Sequence, residues 1–185
     1  MRKIRTKADA DRKMKRNNLI VGIVLVGLLV LSTAGYSLIS SDEEDSDGVS
    51  EFGVDFYRSN NMWAAEIGGG VFWFQNLPSE VSDIDVNISI GLGDYANQPL
   101  YFVNPNEGAS EILNNFGNYV LRYQEACLVN SSCDGDLPAK GCDSNLIIFE
   151  SGDSNIVYQN ESCVFIVGDA VRATDAFLYN VLGVN

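Results

Sequence analysis

Apolar and polar residues fall along this chain in three regimes. Residues 1–18 are polar and basic. Leu19 to Ile39, LIVGIVLVGLLVLSTAGYSLI, is a stretch of 21 residues without a charge. Beyond it, short apolar runs alternate with polar ones, as in a folded domain. A helix rises about 1.5 Å per residue, so a hydrocarbon core of about 30 Å takes roughly 20 apolar residues. Residues 19–39 therefore predict a membrane-spanning helix, which satisfies its backbone polar groups internally as lipid requires. Gly22, Gly27 and Gly35 are compatible with that setting.

Past the span, period-two patterning dominates at first. Phe52, Val54 and Phe56 alternate with Gly53 and Asp55, which predicts a half-buried strand. Met62 to Ile67 and Val71 to Phe74 predict two more, joined by a loose turn at Gly68-Gly69-Gly70. Asp83 to Ile90 alternates throughout, with Ile84, Val86, Ile88 and Ile90 on one face. Leu100 to Val103 predicts a further strand. Asn104 suits an N-cap, Pro105 the first helical position and Glu107 the third. The helix started there carries Ala109, Ile112, Leu113, Phe116, Val120, Tyr123 and Cys127 on one face.

Leu128 to Ser144 reads as loop. Leu146 to Phe149, Ile156 to Tyr158 and Cys163 to Val167 predict an up-down-up meander, with residues 151–155 as the hairpin turn joining the first two. The first and third of these runs are continuously apolar, which predicts central strands covered on both faces. Asp169 caps a last helix, Ala170 to Leu182, with Gly183 as its C′ residue. Its expected buried stripe is Ala173, Phe177, Leu178, Val181 and Leu182. The fold class that follows is α+β: one transmembrane helix, then a small domain with a mostly antiparallel sheet and two packed helices.

Charge orients the span. Residues 1–18 carry eight cations and two acids, a net +6, whereas from Ser41 onward four cations face 23 acids, a net −19. Cations stay cytoplasmic, so the amino terminus is expected inside the cell and the carboxyl terminus outside, in the cell membrane. A cleaved secretory signal is the rival reading, with Leu19 to Leu31 as its apolar core and Ser32-Thr33-Ala34 as its cleavage site. Residues 40–51, SSDEEDSDGVSE, hold six acids and no aromatic residue, the composition of a solvated linker. Aligning Gly48 with the glycine of a calcium loop places Glu43, Asp45 and Asp47 suitably, but Val54 stands where the bidentate acid belongs. Residues 52–185 form the outer domain.

All four cysteines, Cys127, Cys133, Cys142 and Cys163, lie in that domain, where export favours disulfides. Three pairings exist. The preferred one is Cys127–Cys133, closing the helix end onto its loop, with Cys142–Cys163, joining the starts of two strands that run the same way. Three sequons, at Asn87, Asn130 and Asn160, are candidate glycosylation sites.

Histidine is absent. That excludes Ser-His-Asp and Cys-His catalysis and removes the commonest metal ligand. No phosphate loop or dinucleotide fingerprint is present, so no cofactor and no metal is expected. Asp83 and Asp85 share a strand face and are the candidate carboxylate pair for a hydrolase. Trp73, with Trp63 behind it, is the candidate ligand contact, because Phe72 and Phe74 take the opposite face of their strand. The anionic domain repels nucleic acid. The expected partners are membrane lipid, through residues 19–39, and a protein or glycan outside the cell. The expected function is a membrane-anchored binding or structural module, an accessory subunit of a membrane assembly among the cases. The alternatives are an exported hydrolase or carbohydrate-active enzyme using carboxylates, and last a filament subunit.

Overall fold

The computed structural model describes residues 15–16, 18–28, 48–129, 131, 133 and 135–184. The chain divides into two compact units, Met1–Asp45 and Ser46–Asn185. In the first, residues 18–28 form helix α1. No helix among the described residues is long and apolar enough to cross a membrane. Residues 29–39 of the apolar stretch, the cleavage motif and the acids at 43–47 lie outside the described residues.

The second unit is α+β. Its first sheet is an antiparallel meander of β1 (Val49–Glu51), β2 (Val54–Ser59), β3 (Met62–Ile67) and β4 (Gly70–Phe74). Its three loops have two residues each, and both residues have positive φ: Phe52 50° and Gly53 78°, Asn60 49° and Asn61 67°, Gly68 59° and Gly69 83°. Such turns match the right-handed twist of the strands they join. Two expectations change here. The linker does not end at residue 51, since β1 pairs with β2 and the Glu51 carboxylate accepts from Ser79 N–H (2.8 Å) and hydroxyl (2.7 Å). Phe52 sits in a turn with 57% of its surface exposed and is not an inward strand residue.

A 3-10 turn (Pro78–Val81) leads to the second sheet, of six strands. These are β5 (Asp85–Asn87), β6 (Pro99–Val103), β7 (Arg122–Glu125), β10 (Leu146–Glu150), β11 (Ile156–Asn160) and β12 (Cys163–Val167). Their order across the sheet is β5-β11-β12-β10-β6-β7. A two-stranded ribbon, β8 (Cys127–Leu128) with β9 (Ala139–Lys140), completes the set. The expectation of mostly antiparallel pairing holds for the first sheet only. In the second, β7, β6, β10 and β12 are mutually parallel and β5 runs parallel to β11; β11 with β12 is the antiparallel pair. The expected hairpin of the first two runs is replaced by one joining the last two. The chain leaves β10, passes the end of β12 and returns as β11 on its far side. Gly152 and Gly168 permit that crossing: a Cβ on Gly152 would meet the Val167 methyl at 2.6 Å, and one on Gly168 the Ser154 carbonyl at 2.7 Å.

Two other elements are shorter than the pattern suggested, and one short helix is added between strands where residues 91–97 suggested a turn-rich loop. The strand at 83–90 pairs only over Asp85–Asn87. Its burial still alternates, but beyond Asn87 the Ser89 N–H bonds the Gln159 side chain instead of a strand (2.8 Å). Helix α2 (Leu92–Tyr95) is a single turn inside the expected loop. Helix α3 (Glu107–Phe116) is capped by Asn106, whose Oδ1 accepts from Gly108 N–H at 2.9 Å, and not by Asn104. It stops at Gly117, and residues 122–125 of the expected helix form β7 instead. Pairing with β6 outweighs the helical periodicity there.

Helix α4 (Ala170–Leu182) has the expected ends. The Asp169 carboxylate accepts from Val171 and Arg172 N–H, and Gly183 closes the helix at φ 74°. It is buried almost all round, with every residue from Ala173 to Tyr179 inside. Tyr179 stacks on Phe74 of the first sheet at 4.3 Å. Ala173, Phe177 and Leu178 share one core cluster with Ile147, Val164 and Ile166 of the second sheet. The other face of the second sheet packs Tyr101, Val103, Leu146 and Ile148 under the disulfide-bearing segment. β10 and β12 are thus covered on both faces. The cysteines pair as Cys127–Cys133 and Cys142–Cys163, the preferred pairing. β12 lies directly beside β10, with Leu146 opposite Cys163, which brings Cys142 within reach.

Where α3 crosses α4, Gly108 allows close approach. A methyl there would run into the Thr174 hydroxyl and stand 2.7 Å from the Ala170 carbonyl. We expect Gly108→Ala to destabilise the domain by about 1–3 kcal/mol, the usual range for overpacking. Denaturant unfolding with disulfides intact measures it.

Candidate functional site

Among the described residues, four polar side chains are buried: Glu111 and Asn115 on α3, Thr174 and Asp175 on α4. Three of them reach β4 and the residues after it. Asn115 accepts from Trp73 N–H (2.7 Å) and donates to the Trp73 carbonyl (2.8 Å), closing the edge of the first sheet. Asp175 Oδ2 accepts from Gln75 N–H (3.1 Å), Asn76 N–H (2.8 Å) and the Asn76 side-chain amide (2.8 Å). Glu111 Oε2 accepts from the Gln75 side chain at 3.2 Å. The Tyr179 hydroxyl donates to the Asn76 carbonyl at 2.6 Å.

Each buried carboxylate has one oxygen without a partner, Oε1 of Glu111 and Oδ1 of Asp175. Burial pushes Asp175 up to about 7, against the bonds from Asn76 and Gln75; the Glu111 charge adds to the rise. Burial also raises Glu111, against its bond from Gln75. Protonation of either acid removes one of two charges from a buried site. Sequence reading missed both acids. Neither stands out among 25 acidic residues, and the signal available was only that each falls on the apolar side of its helix.

The open clefts are lined by other groups. One, of about 530 Å³, lies at the starts of β6 and β10 and is lined by Asp94, Gln98, Tyr101, Asp143, Ser144 and Asn145 among others. The Asp94 carboxylate is engaged with its own helix start, accepting from Gly91 N–H at 2.8 Å. A second, of about 310 Å³, is mainly apolar and runs beside Val81, Ile84, Ala176 and Tyr179. Neither cleft is lined by Glu111 or Asp175. The acids whose affinity for protons is raised by burial and the acids facing these two clefts are therefore different residues.

The sequence candidates separate in the same way. Asp83 lies in a turn before β5 and pairs with Arg172 at 2.8 Å, while Asp85 stays exposed on β5. They do not form a converging pair. Trp63 is buried at 8%, its ring under the Arg58 guanidinium at 5.0 Å. Trp73 is half-buried on the outward face of β4, opposite in direction to Phe72 and Phe74. Register places Tyr57, Ala64 and Trp73 in one row across β2, β3 and β4. Ala64 has no exposed surface, whereas Tyr57 is 40% exposed, so the row presents aromatic side chains around a small centre. Among the sequons, Asn87 and Asn160 are exposed at strand positions, and Asn130 lies outside the described residues. No group of acids and cysteines among the described residues has the spacing of a metal site.

No family model, no curated protein and no solved structure matches the chain.

The acid pair sets a pH dependence. Asp175 binds its proton more tightly in the folded chain than an aspartate does in water, where the ordinary value is 3.8. The stability this contributes is present at pH 4 and is lost as pH rises toward about 7. A tenfold gain in proton affinity corresponds to about 1.4 kcal/mol. Asp175→Asn keeps an oxygen for Gln75 and Asn76 but carries no charge. It is expected to raise the unfolding temperature at pH 8 and to flatten the profile between pH 4 and 7. Thermal unfolding across that range is the measurement.

Proposed function

We propose that this chain is a single-pass membrane protein, spanning at residues 19–39 with its basic tail inside. Its disulfide-bonded outer domain is a binding or structural module serving a partner outside the cell. The observation that carries the reading is the row Tyr57–Ala64–Trp73 on the outward face of the first sheet. Flat aromatic side chains on a rigid sheet supply contact area at small entropic cost, and Tyr and Trp are enriched at contact surfaces. Three hairpins with fixed turns and an edge closed by Asn115 hold that row in place.

Further support comes from charge and chemistry. A net +6 before the apolar stretch and −19 after it favour this orientation. Two disulfides suit an oxidising compartment. The acids with raised affinity for protons serve the joint between helices and first sheet, which makes them structural in this reading.

Two measurements test it. Protease added to intact cells is expected to digest the domain and to spare residues 1–18. Full protection of the domain overturns the orientation. Tyr57→Ala with Trp73→Ala is expected to weaken co-purification of outer partners at least tenfold in mild detergent, with the unfolding temperature nearly unchanged. Undiminished co-purification removes this face from the proposal.

A further inference from the structure

The edges of a sheet expose main-chain groups that another strand can pair with. The first sheet closes one of its edges with Asn115. The second sheet ends at β7, whose four residues are all exposed and include no Pro, Gly or Lys. Its one neighbour is β6. Ala126 N–H donates to the Phe102 carbonyl at 2.8 Å, and this bond sets the phase of the ladder. Alternate residues of a strand turn their main-chain groups to a given neighbour. Arg122 and Gln124 therefore face β6, and the N–H and carbonyl groups of Tyr123 and Glu125 point outward.

Side chains leave the edge equally open. Leu121 and Tyr123 are 66% and 58% exposed and lie on the same side of the strand as Glu125. The cation of the strand does not guard it. Arg122 donates to the Tyr101 hydroxyl at 2.9 Å and lies 5.8 Å from that ring, on the opposite side. Two apolar side chains, a carboxylate and four main-chain groups without a partner among the described residues thus share one edge.

We infer that β7 accepts an extended, basic segment of a partner protein as an added strand. Main-chain bonds to Tyr123 and Glu125 supply the pairing, apolar side chains of the segment cover Leu121 and Tyr123, and a cation faces Glu125. Charge selects this occupant. The outer part of the chain is −19, so a second copy brings repulsion to the edge while a basic segment brings attraction. The inference rests on the reading of the outer domain as a binding module, but it uses a surface separate from the Tyr57–Trp73 row.

The test uses the full chain in neutral detergent and a fluorescent nine-residue peptide alternating valine with threonine or lysine, lysine at both ends. Saturable binding is expected, with amide exchange at Tyr123 and Glu125 slowed at least tenfold. The same peptide with glutamate in place of lysine is expected to bind at least tenfold more weakly. So are two variants, Glu125→Pro, which removes an outward N–H at a position where proline is tolerated, and Tyr123→Lys, which leaves the backbone intact. Trp73→Ala is expected to leave peptide binding unchanged, which separates this edge from the aromatic face. Absence of saturable binding, equal affinity for the acidic peptide, or protection confined to residues outside 121–126 overturns the inference. So does a dimer of the protein alone that protects 121–126.

Discussion

A carboxylate near the middle of the most buried helix joins two halves of this domain. Asp175 has no exposed surface, and one of its oxygens takes three hydrogen bonds from Gln75 and Asn76. Those residues follow the last strand of the first sheet. The two sheets share no ladder, so what ties the first to the rest is its contact with α3, α4 and the following 3-10 turn. Apolar packing of Phe56, Phe72 and Phe74 provides most of the adhesion but little direction. Asn115 and Asp175 supply direction, because each engages specific main-chain groups at one register. Leaving those N–H groups buried without acceptors would cost about 1–3 kcal/mol each.

That arrangement has a consequence for chemistry. Burial in this joint raises the proton affinity of two acids, as it does for many catalytic carboxylates. Here Asp175 accepts from two backbone amides and Glu111 from the Gln75 side chain, and the clefts are lined by acids with other partners. Perturbation therefore marks a structural seam, and the surfaces proposed for contact lie elsewhere. One is the outward aromatic row of the first sheet; another is the open edge of β7.

The second sheet is stabilised differently. Its central strands β10 and β12 lie side by side in parallel, and both faces are covered. The outer cover includes the ribbon β8–β9 and Cys142, which pack on Tyr101, Leu146 and Ile148. Cys142–Cys163 fixes it to the start of β12, and Cys127–Cys133 narrows its first turn. The closure of a 21-residue separation removes unfolded-state entropy worth about 3 kcal/mol.

Much of this was written in local patterns. Helix α4 was legible from Asp169 to Gly183, because caps and apolar spacing are properties of neighbouring residues. The continuous runs at 146–149 and 163–167 identified strands covered on both faces, and their shared direction favoured Cys142–Cys163 among three possible pairings; Cys127–Cys133 was preferred for a helix end where the structure instead has β8. The anionic character of the chain beyond residue 40 and the +6 of residues 1–18 followed from composition alone. Tertiary structure decided the rest. An amphipathic pattern at 117–127 suited a helix, yet the open side of β6 took residues 122–125 as a strand, since ladder bonds to a distant partner outweigh weak local preference. Phe52 alternates correctly for a strand, but β1 folds back on β2 and leaves it at a turn. Which strands neighbour one another, and that Glu111 and Asp175 meet one segment, depend on contacts between residues up to about a hundred positions apart. Such contacts leave no periodic trace in a single sequence, because nothing near either residue records the partner that folding brings to it.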